Sequence, residues 1–367
     1  MSMLANTPCR PLNRADVIGG CLLGMALGDA LGLPREGLSA RRAEKLFGAG
    51  EIRHRLALGR GMISDDTEHA CMTAQALLAA GTDVKRFQNS LAWRLRWWLL
   101  GVPVGIGLGT LRAILRLWIG VSPRHSGVRS AGNGPAMRAP IIGVLLADTP
   151  DSMKLIAQAS TRITHRDIRA DQGAMAIAIA AAYAARPANL PFQACKALEH
   201  VRNGITEPKL LKLLDKVREH LEQGASPAAL AADMELTRGI TGYIYHTVPI
   251  ALFCWLRYYG DFRESVTQAI RLGGDTDTVA AITGALAGAS VGQSGIPKEW
   301  LDGLIEWPRS VYWMENLTAR LAQQFPEHGD AEIVGPLPIF WPGQLLRNLV
   351  FAILVLGHGF RRIFPPY

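Results

Sequence analysis

Cysteine is scarce in this sequence and poorly placed for cross-links. The five cysteines, Cys9, Cys21, Cys71, Cys195 and Cys254, are odd in number and widely separated, and no two form a C-x-x-C motif. This pattern excludes the dense disulfide framework of a small secreted domain and the usual spacing of a zinc finger. We therefore expect a reducing, cytoplasmic compartment.

Long apolar runs are also missing. No uninterrupted run reaches the roughly 18 residues that a membrane-spanning helix needs, and the first residues lack the apolar segment of a signal peptide. We therefore expect no transmembrane segment and no export. With 367 residues, 19% of them charged, the chain has the composition of a globular protein. Its net charge of +8 would suit an anionic partner without identifying one.

Strand-like alternation joined by hairpin turns does not occur, whereas helical patterns follow one another. Residues 208–224 end at Gly224, a glycine C-cap, and place five apolar residues on one face: Leu210, Leu211, Leu214, Val217 and Leu221. Residues 171–185 and 277–289 are apolar most of the way round, which indicates helices buried inside a bundle. The sequence predicts an all-α protein.

The composition changes after about Phe325, where four prolines and several turn residues interrupt the helical patterns. We predict three parts: an N-terminal arm over 1–15, a main helical domain over 16–324 and a C-terminal extension over 325–367. The tail of the extension has an apolar stretch flanked by Arg347, Arg361 and Arg362. It could lie on a membrane surface, bind a partner or cover the core, and we favour packing on the core.

Two short acidic stretches stand directly before predicted helices. Ser64, Asp65 and Asp66 form the first, and Asp275 and Asp277 belong to the second, "GGDTDT". Either stretch alone could simply cap a helix N-terminus. Capping needs only one of these side chains, however. If the two stretches met, only cations would make the repulsion tolerable, and oxygen ligands select Mg²⁺, Mn²⁺ or Ca²⁺ over zinc. Spacing alone does not predict that they meet.

The pairing of "SDDTE" with "LGGDTDT" closely resembles the ADP-ribosylglycohydrolase family. Further stretches agree in the family's order: "GCLLGMALGDALGLPREG", "GIGLGT", "GNGPAMRAPIIG" and "THRDIRADQGAMAIAIAAA". The likeness runs from about residue 15 to about 320. It implies a compact, orthogonal all-α bundle with a binuclear metal centre, occupied by two Mg²⁺ or Mn²⁺ ions.

The resemblance also assigns roles. The implied metal ligands are Ser64, Asp65, Asp66, Asp275, Asp277 and Thr278, with Asp277 as the bridge between the ions. Family members usually carry Thr where this chain has Ser64, but the hydroxyl is retained. Asp65, Asp66 and Glu36 are the implied catalytic residues, although Glu36 could be a solvated loop carboxylate. Gly132, Asn133, Gly134, Met137 and His165 are the implied contacts to ADP-ribose, although His165 could instead cap a helix.

The implied function is the removal of ADP-ribose from a modified protein side chain, with arginine as the expected acceptor. An alternative is an immunity protein that binds and blocks an ADP-ribosyltransferase toxin. A third possibility is a retained fold without activity, which the complete ligand set argues against.

Arginine and tryptophan alternate in "RFQNSLAWRLRWWLLG", a mixture that could stack on nucleic acid. At helical spacing, Trp93 and Trp97 would instead form a buried face with the arginines outside. We favour this structural interpretation and expect no nucleic-acid partner.

Overall fold

The computed structural model describes residues 12–186, 192–326, 329 and 331–365. Most of the N-terminal arm predicted for residues 1–15, including Cys9, lies outside the described residues. The helices are α1 Arg14–Gly32, α2 Ala40–Phe47, α3 Asp65–Ala80, α4 Val84–Leu100, α5 Leu108–Trp118, α6 Gly134–Leu145, α7 Pro150–Thr164, α8 Ile168–Ala184, α9 Ala194–Asn203, α10 Pro208–Glu222, α11 Pro227–Asp233, α12 Ile244–Arg257, α13 Phe262–Arg271, α14 Thr276–Val291, α15 Lys298–Leu301, α16 Val311–Gln324 and α17 Trp341–Arg361. Two-residue strands β1 Leu38–Ser39 and β2 Gly273–Gly274 form an antiparallel pair.

The predicted helical character is confirmed, and so is the amphipathic pattern of α10, although Leu211 and Leu221 are only partly buried. Leu210, Leu214 and Val217 are buried on its inner face. Gly224, just beyond its end, has a φ of +65°, the left-handed conformation expected of a glycine at a helix C-terminus.

The centre of the bundle is the contact between α1 and α14. Glycines recur every fourth residue along α1, at positions 20, 24, 28 and 32, so that one edge of the helix is bare backbone. A Cβ on Gly28 would lie 1.9 Å from the carbonyl oxygen of Ala280, and one on Gly24 would lie 2.2 Å from that of Gly284. The two backbones therefore touch, which explains why the helix behind the second acidic stretch is made of small residues.

The β1–β2 pair ties the loop after α1 to the turn before α14. Leu38 pairs with Gly274, and the Gly37 amide donates to the Gly274 carbonyl at 2.7 Å. Gly274 has a φ of +83°, and a Cβ there would lie 1.9 Å from the Ile240 carbonyl oxygen. Glycine is therefore required at the point where three segments meet.

The prediction that Trp93 and Trp97 form a buried face is wrong. Their exposed fractions are 54% and 44%. Helix α4 instead buries Phe87, Leu91 and Trp98, which recur at helical spacing on the neighbouring stripe. The reason is the direction in which each residue projects from the helix. Phe87, Leu91 and Trp98 lie on the side of α4 that packs against α3 and α7, and Trp93 and Trp97 lie outside that side.

Helix α17 packs on the protein, as expected, but through two kinds of contact. Phe351, Leu354 and Val355 join an apolar cluster with residues of the loops after α1 and before α3, and polar side chains make the other buried contacts. Its fully buried residues are Gly343, Gln344, Arg347, Asn348 and Phe351. Helices α1 and α17 are both long and apolar enough to cross a membrane by length and composition alone. This is weak evidence, because α1 is a core helix whose apolar window is 100% buried, whereas that of α17 is 28% buried.

Candidate active site

The two acidic stretches meet. Thr278 on α14 donates from its hydroxyl to Asp66 Oδ2 on α3 at 3.1 Å. Ser64 is the N-cap of α3 and lies 3.4 Å from the same carboxylate oxygen. Asp275 is the N-cap of α14, but its side chain makes no capping hydrogen bond there. Capping therefore accounts for Ser64 but leaves the second group of carboxylates unexplained.

A buried carboxylate that the sequence reasoning missed holds the first turn in place. Asp29 on α1 is fully buried and accepts from the Ser64 amide at 2.9 Å and from the Thr67 hydroxyl at 2.6 Å. Burial raises the pKa of Asp29 to about 6, although these hydrogen bonds pull it down. The available signal was an Asp inside the apolar run of α1, far from the ends of that run, since such a group is seldom buried without a partner or a function.

The carboxylates at the meeting point have the electrostatics of a cation site. Burial, and then repulsion from neighbouring carboxylates, raises the pKa values of Asp65, Asp66 and Asp277 well above the ordinary range. The Oδ1 atoms of Asp66 and Asp277 are buried without a hydrogen-bond partner. An unpaired buried carboxylate oxygen is costly, and a bound cation would satisfy both atoms.

The donor set consists of oxygen atoms, which fits a hard divalent ion. Within the described ranges, no three His, Cys, Asp or Glu side chains are already arranged around a single point as a finished metal site. The set mixes carboxylates with the hydroxyls of Ser64 and Thr278. The residues therefore fit a hard divalent ion, both in the chemistry of their oxygen atoms and in their burial.

Glu36 stands beside these carboxylates, in the loop that β1 ties to the second turn. It lines the same cavity as Asp275 and Asp277. Burial first, and then the charge of Asp275, raises the pKa of Glu36, whereas Arg362 lowers it. Arg362 donates to the Glu36 carbonyl at 2.8 Å, so the C-terminal segment supports this loop directly.

A cavity of about 750 Å³ opens over the acidic floor. Gly132, Gly134, Met137 and His165 line it, as do Ser64, Asp65 and Thr278. The cavity therefore brings together the predicted metal-binding, catalytic and substrate-binding residues, apart from Asp66, which lies behind the floor. Phe351 and Val355 of α17 also line it, and sequence reasoning placed no tail residue there.

His165 is the C-cap residue of α7, and its backbone amide donates to the Thr161 carbonyl at 2.8 Å, so the capping alternative holds for the backbone. Among the described residues its ring makes no capping contact. Its Nδ1 lies 2.9 Å from the Thr164 hydroxyl, and a Cβ on Gly109 or Gly132 would lie 3.1 Å from its Nε2. Bare backbone at these two positions leaves room for a ligand against the ring. Burial lowers the pKa of His165 to about 3, so the ring is neutral at pH 7.

Asn133 connects the substrate loop to the acidic turn. Its side-chain amide donates to Asp275 Oδ2 at 2.6 Å and to the Thr247 hydroxyl at 2.9 Å. Both hydrogen-bond donors of the Asn133 side chain are therefore bonded to other residues of the protein. The side chain positions Asp275, while the Gly132–Gly134 backbone borders the cavity.

Comparison with known proteins places this geometry in a family. The family model described as ADP-ribosylglycohydrolase matches residues 10–331. An uncharacterised protein from Archaeoglobus fulgidus is 34% identical over 82% of this chain and 94% of its own length. The ADP-ribosyl-[dinitrogen reductase] glycohydrolase of Rhodospirillum rubrum is 28% identical over 78% of this chain and 89% of its own.

Two further similarities agree. The ADP-ribosylarginine hydrolase Tri1 of Serratia proteamaculans is 28% identical over 85% of this chain and 80% of its own. A solved structure described as an ADP-ribosylglycohydrolase-related protein complex aligns with a TM-score of 0.65 and 30% identity, covering 84% of this chain and 98% of that one. The toxin-binding alternative gains no support from these relatives. The chain belongs to the ADP-ribosylglycohydrolase family, which supports an enzyme that removes ADP-ribose by hydrolysis.

Proposed function

We propose that this chain removes ADP-ribose from a modified arginine side chain of a protein. The observation that carries the proposal is the convergence of the two acidic turns, through the Thr278–Asp66 hydrogen bond, beneath a cavity of about 750 Å³. The substrate class, a modified protein with an arginine linkage, follows the names of the relatives from R. rubrum and S. proteamaculans.

The proposed cofactors are two Mg²⁺ or Mn²⁺ ions, held by Ser64, Asp65, Asp66, Asp275, Asp277 and Thr278. Support comes from the unpaired Oδ1 atoms of Asp66 and Asp277, which a cation would contact. The raised pKa values of these carboxylates agree, since a nearby positive charge stabilises the ionised form and lowers the pKa. Paired ions of this kind orient a substrate and lower the pKa of water.

Side chains of the protein stabilise charge, accept a proton and bind the substrate. Cleavage at the anomeric carbon develops positive charge on the ribose ring. The carboxylate of Asp65, which lines the cavity, stabilises this charge directly, and Asp66, which does not line it, contributes only through its own negative charge. Glu36 can accept the proton of the attacking water, because its carboxylate lines the cavity beside Asp275 and Asp277. His165, neutral at pH 7, contributes a hydrogen bond to ADP-ribose and not a charge.

The test compares two substrates that differ only in acceptor, an ADP-ribosyl-arginine peptide and an ADP-ribosyl-serine peptide. We expect release of ADP-ribose from the arginine peptide, loss of turnover in excess chelator, and recovery with Mg²⁺ or Mn²⁺ but poorly with Zn²⁺. Turnover of the serine peptide alone would show that serine, and not arginine, is the amino acid from which ADP-ribose is removed. Undiminished turnover in chelator would remove the metal from the mechanism, and no release from either peptide would overturn the proposal.

A further inference from the structure

Helix α17 carries most of its large apolar residues on the side that faces away from the protein. Six large side chains recur every three or four residues along one stripe and are 46–72% exposed; we call Leu346, Leu349, Val350, Ile353, Leu356 and Phe360 the outer stripe. A surface helix of a soluble protein normally turns such a stripe toward the core. Here the arrangement is reversed, and an apolar ridge of this length indicates a binding surface.

Polar side chains fix the opposite side of the helix to the protein. Gln344 donates to Glu68 at 2.6 Å, Arg347 forms a buried ion pair with Glu306 at 2.6 Å, and Asn348 donates to the Gly101 carbonyl at 2.7 Å. These bonds could not be kept if the helix left the protein to cross a bilayer. The helix therefore lies along the surface with its outer stripe exposed, although its length and composition would allow it to span.

Aromatic side chains extend the outer stripe onto α4. Trp341, at the start of α17, stacks edge to face with Trp97 at 5.8 Å, and Trp97 contacts Trp93 at 6.4 Å. Both α4 tryptophans are substantially exposed. Tryptophan is enriched where an apolar layer meets water, because its ring is apolar and its N–H is polar.

Charge identifies what this surface meets. Residues 333–367 contain neither Asp nor Glu, and of their three arginines Arg361 is exposed, Arg362 is half-buried and Arg347 is buried in its ion pair. Residues 84–147 likewise contain no acidic residue, and Lys85 and Arg86 on α4 are exposed. A second copy of this chain would bring two positively charged surfaces together across the stripe. An anionic lipid surface would instead supply both an apolar layer and the opposite charge.

We propose that the outer stripe and the adjoining tryptophans dock this protein on anionic membranes, with α17 lying in the plane of the interface. The proposal does not depend on the hydrolase activity, since it concerns a surface on the opposite side of α17 from the cavity. Its consequence is that Phe351 and Val355, which line the cavity from the inner side of the same helix, are held close to the lipid surface.

The test is flotation of the full-length protein with vesicles of phosphatidylcholine alone or with added phosphatidylglycerol. The variant Ile353→Glu/Leu356→Glu places two charges on the outer stripe. The matched control, Leu155→Glu/Tyr312→Glu, adds the same charge at sites with exposed fractions of 56% and 73% on α7 and α16. Thermal melts of both variants check that the fold is retained.

We expect wild type and control to float with phosphatidylglycerol vesicles within twofold of each other, and the stripe variant to bind at least tenfold more weakly. High salt should release the bound protein. Equal flotation of the two variants, or no flotation of wild type, would overturn the proposal. A dimer in lipid-free buffer that the stripe variant alone dissociates, without vesicle binding, would assign the stripe to a second copy and also overturn it.

Discussion

Helices α1 and α17 have similar length and hydropathy but opposite placement. Both qualify by composition as possible membrane spans, with mean hydropathies of 1.6 and 1.3, yet the apolar window of α1 is 100% buried and that of α17 is 28% buried. Side-chain size and the position of polar groups explain the difference. In α1 the glycines permit backbone contact with α14. In α17 the polar residues and Phe351 face the protein, whereas most of the large apolar residues face outward.

The comparison teaches that total hydropathy does not decide which helix a protein buries. Burial of α1 follows from a partner of matching shape, because close contact of two backbones requires small residues on both sides. Attachment of α17 follows from buried polar groups on the protein, Glu68 and Glu306, that need partners. Substitutions that disrupt the backbone contact of α1 or the polar contacts of α17 therefore test these two modes of attachment.

Removing the buried arginine of α17 should destabilise the protein most. Arg347→Ala leaves the fully buried carboxylate of Glu306 without its partner, and breaking such a pair costs about 3–5 kcal/mol. Arg361→Ala, on the exposed end of the same helix, is the matched control and should change stability by less than about 0.5 kcal/mol. Urea unfolding of both variants measures the difference. Equal stability of the two would show that α17 is not held by its polar face.

Asp277→Asn should abolish hydrolysis while preserving the fold, because α1 holds α14 in place without using this side chain. We expect the rate to fall at least ~100-fold, equivalent to about 2.7 kcal/mol. Helix content by circular dichroism should not change. Asp302→Asn, an exposed carboxylate outside the cavity, is the control. Activity of the Asp277 variant within a few-fold of wild type would remove the metal-ligand assignment.

One substitution, Gly→Ala, should have opposite effects in the two helices. A Cβ on Gly28 would overlap the Ala280 carbonyl, and overpacking of this kind costs about 1–3 kcal/mol. A Cβ on Gly357 would meet nothing within 4 Å, and alanine there should stabilise the helix by about 0.5–1 kcal/mol. Denaturant midpoints of Gly28→Ala and Gly357→Ala provide the measurement. The same sign for both would contradict the proposed difference between the helices.

Stabilisation by Mg²⁺ should increase with pH. The pKa values of Asp65, Asp66 and Asp277 are raised, so in the absence of metal the folded protein retains protons on these groups and loses stability as pH rises through those values. A cation needs the ionised forms and therefore competes with protons. We expect the Mg²⁺-induced rise in melting temperature to be larger at pH 8 than at pH 5.5, and Asp277→Asn to reduce it. A shift independent of pH would argue against carboxylate ligands.

The local elements of the site were predictable, but their supports were not. The two acidic turns stand in the sequence as short runs, and helical periodicity indicated the elements that follow them. Asp29 could not be assigned a role, because a carboxylate within the apolar run of α1 does not show which residues it contacts. Trp93 and Trp97 were assigned to the wrong face, because a helix rich in Leu and Trp offers more than one apolar stripe. The cytoplasmic location and the three-part division of the chain stay predictions.

The sequence by itself determined the helical class, the oxygen-rich chemistry of the two turns and, through resemblance, the family. These properties depend on local spacing and residue type. Only the tertiary structure decided that Thr278 reaches Asp66, that Asn133 holds Asp275 and that α17 forms one wall of the cavity. Each of these contacts joins residues separated by 140 positions or more, or depends on which side of a helix faces inward. Packing of the complete chain sets such relationships, because many alternatives are equally compatible with the local pattern.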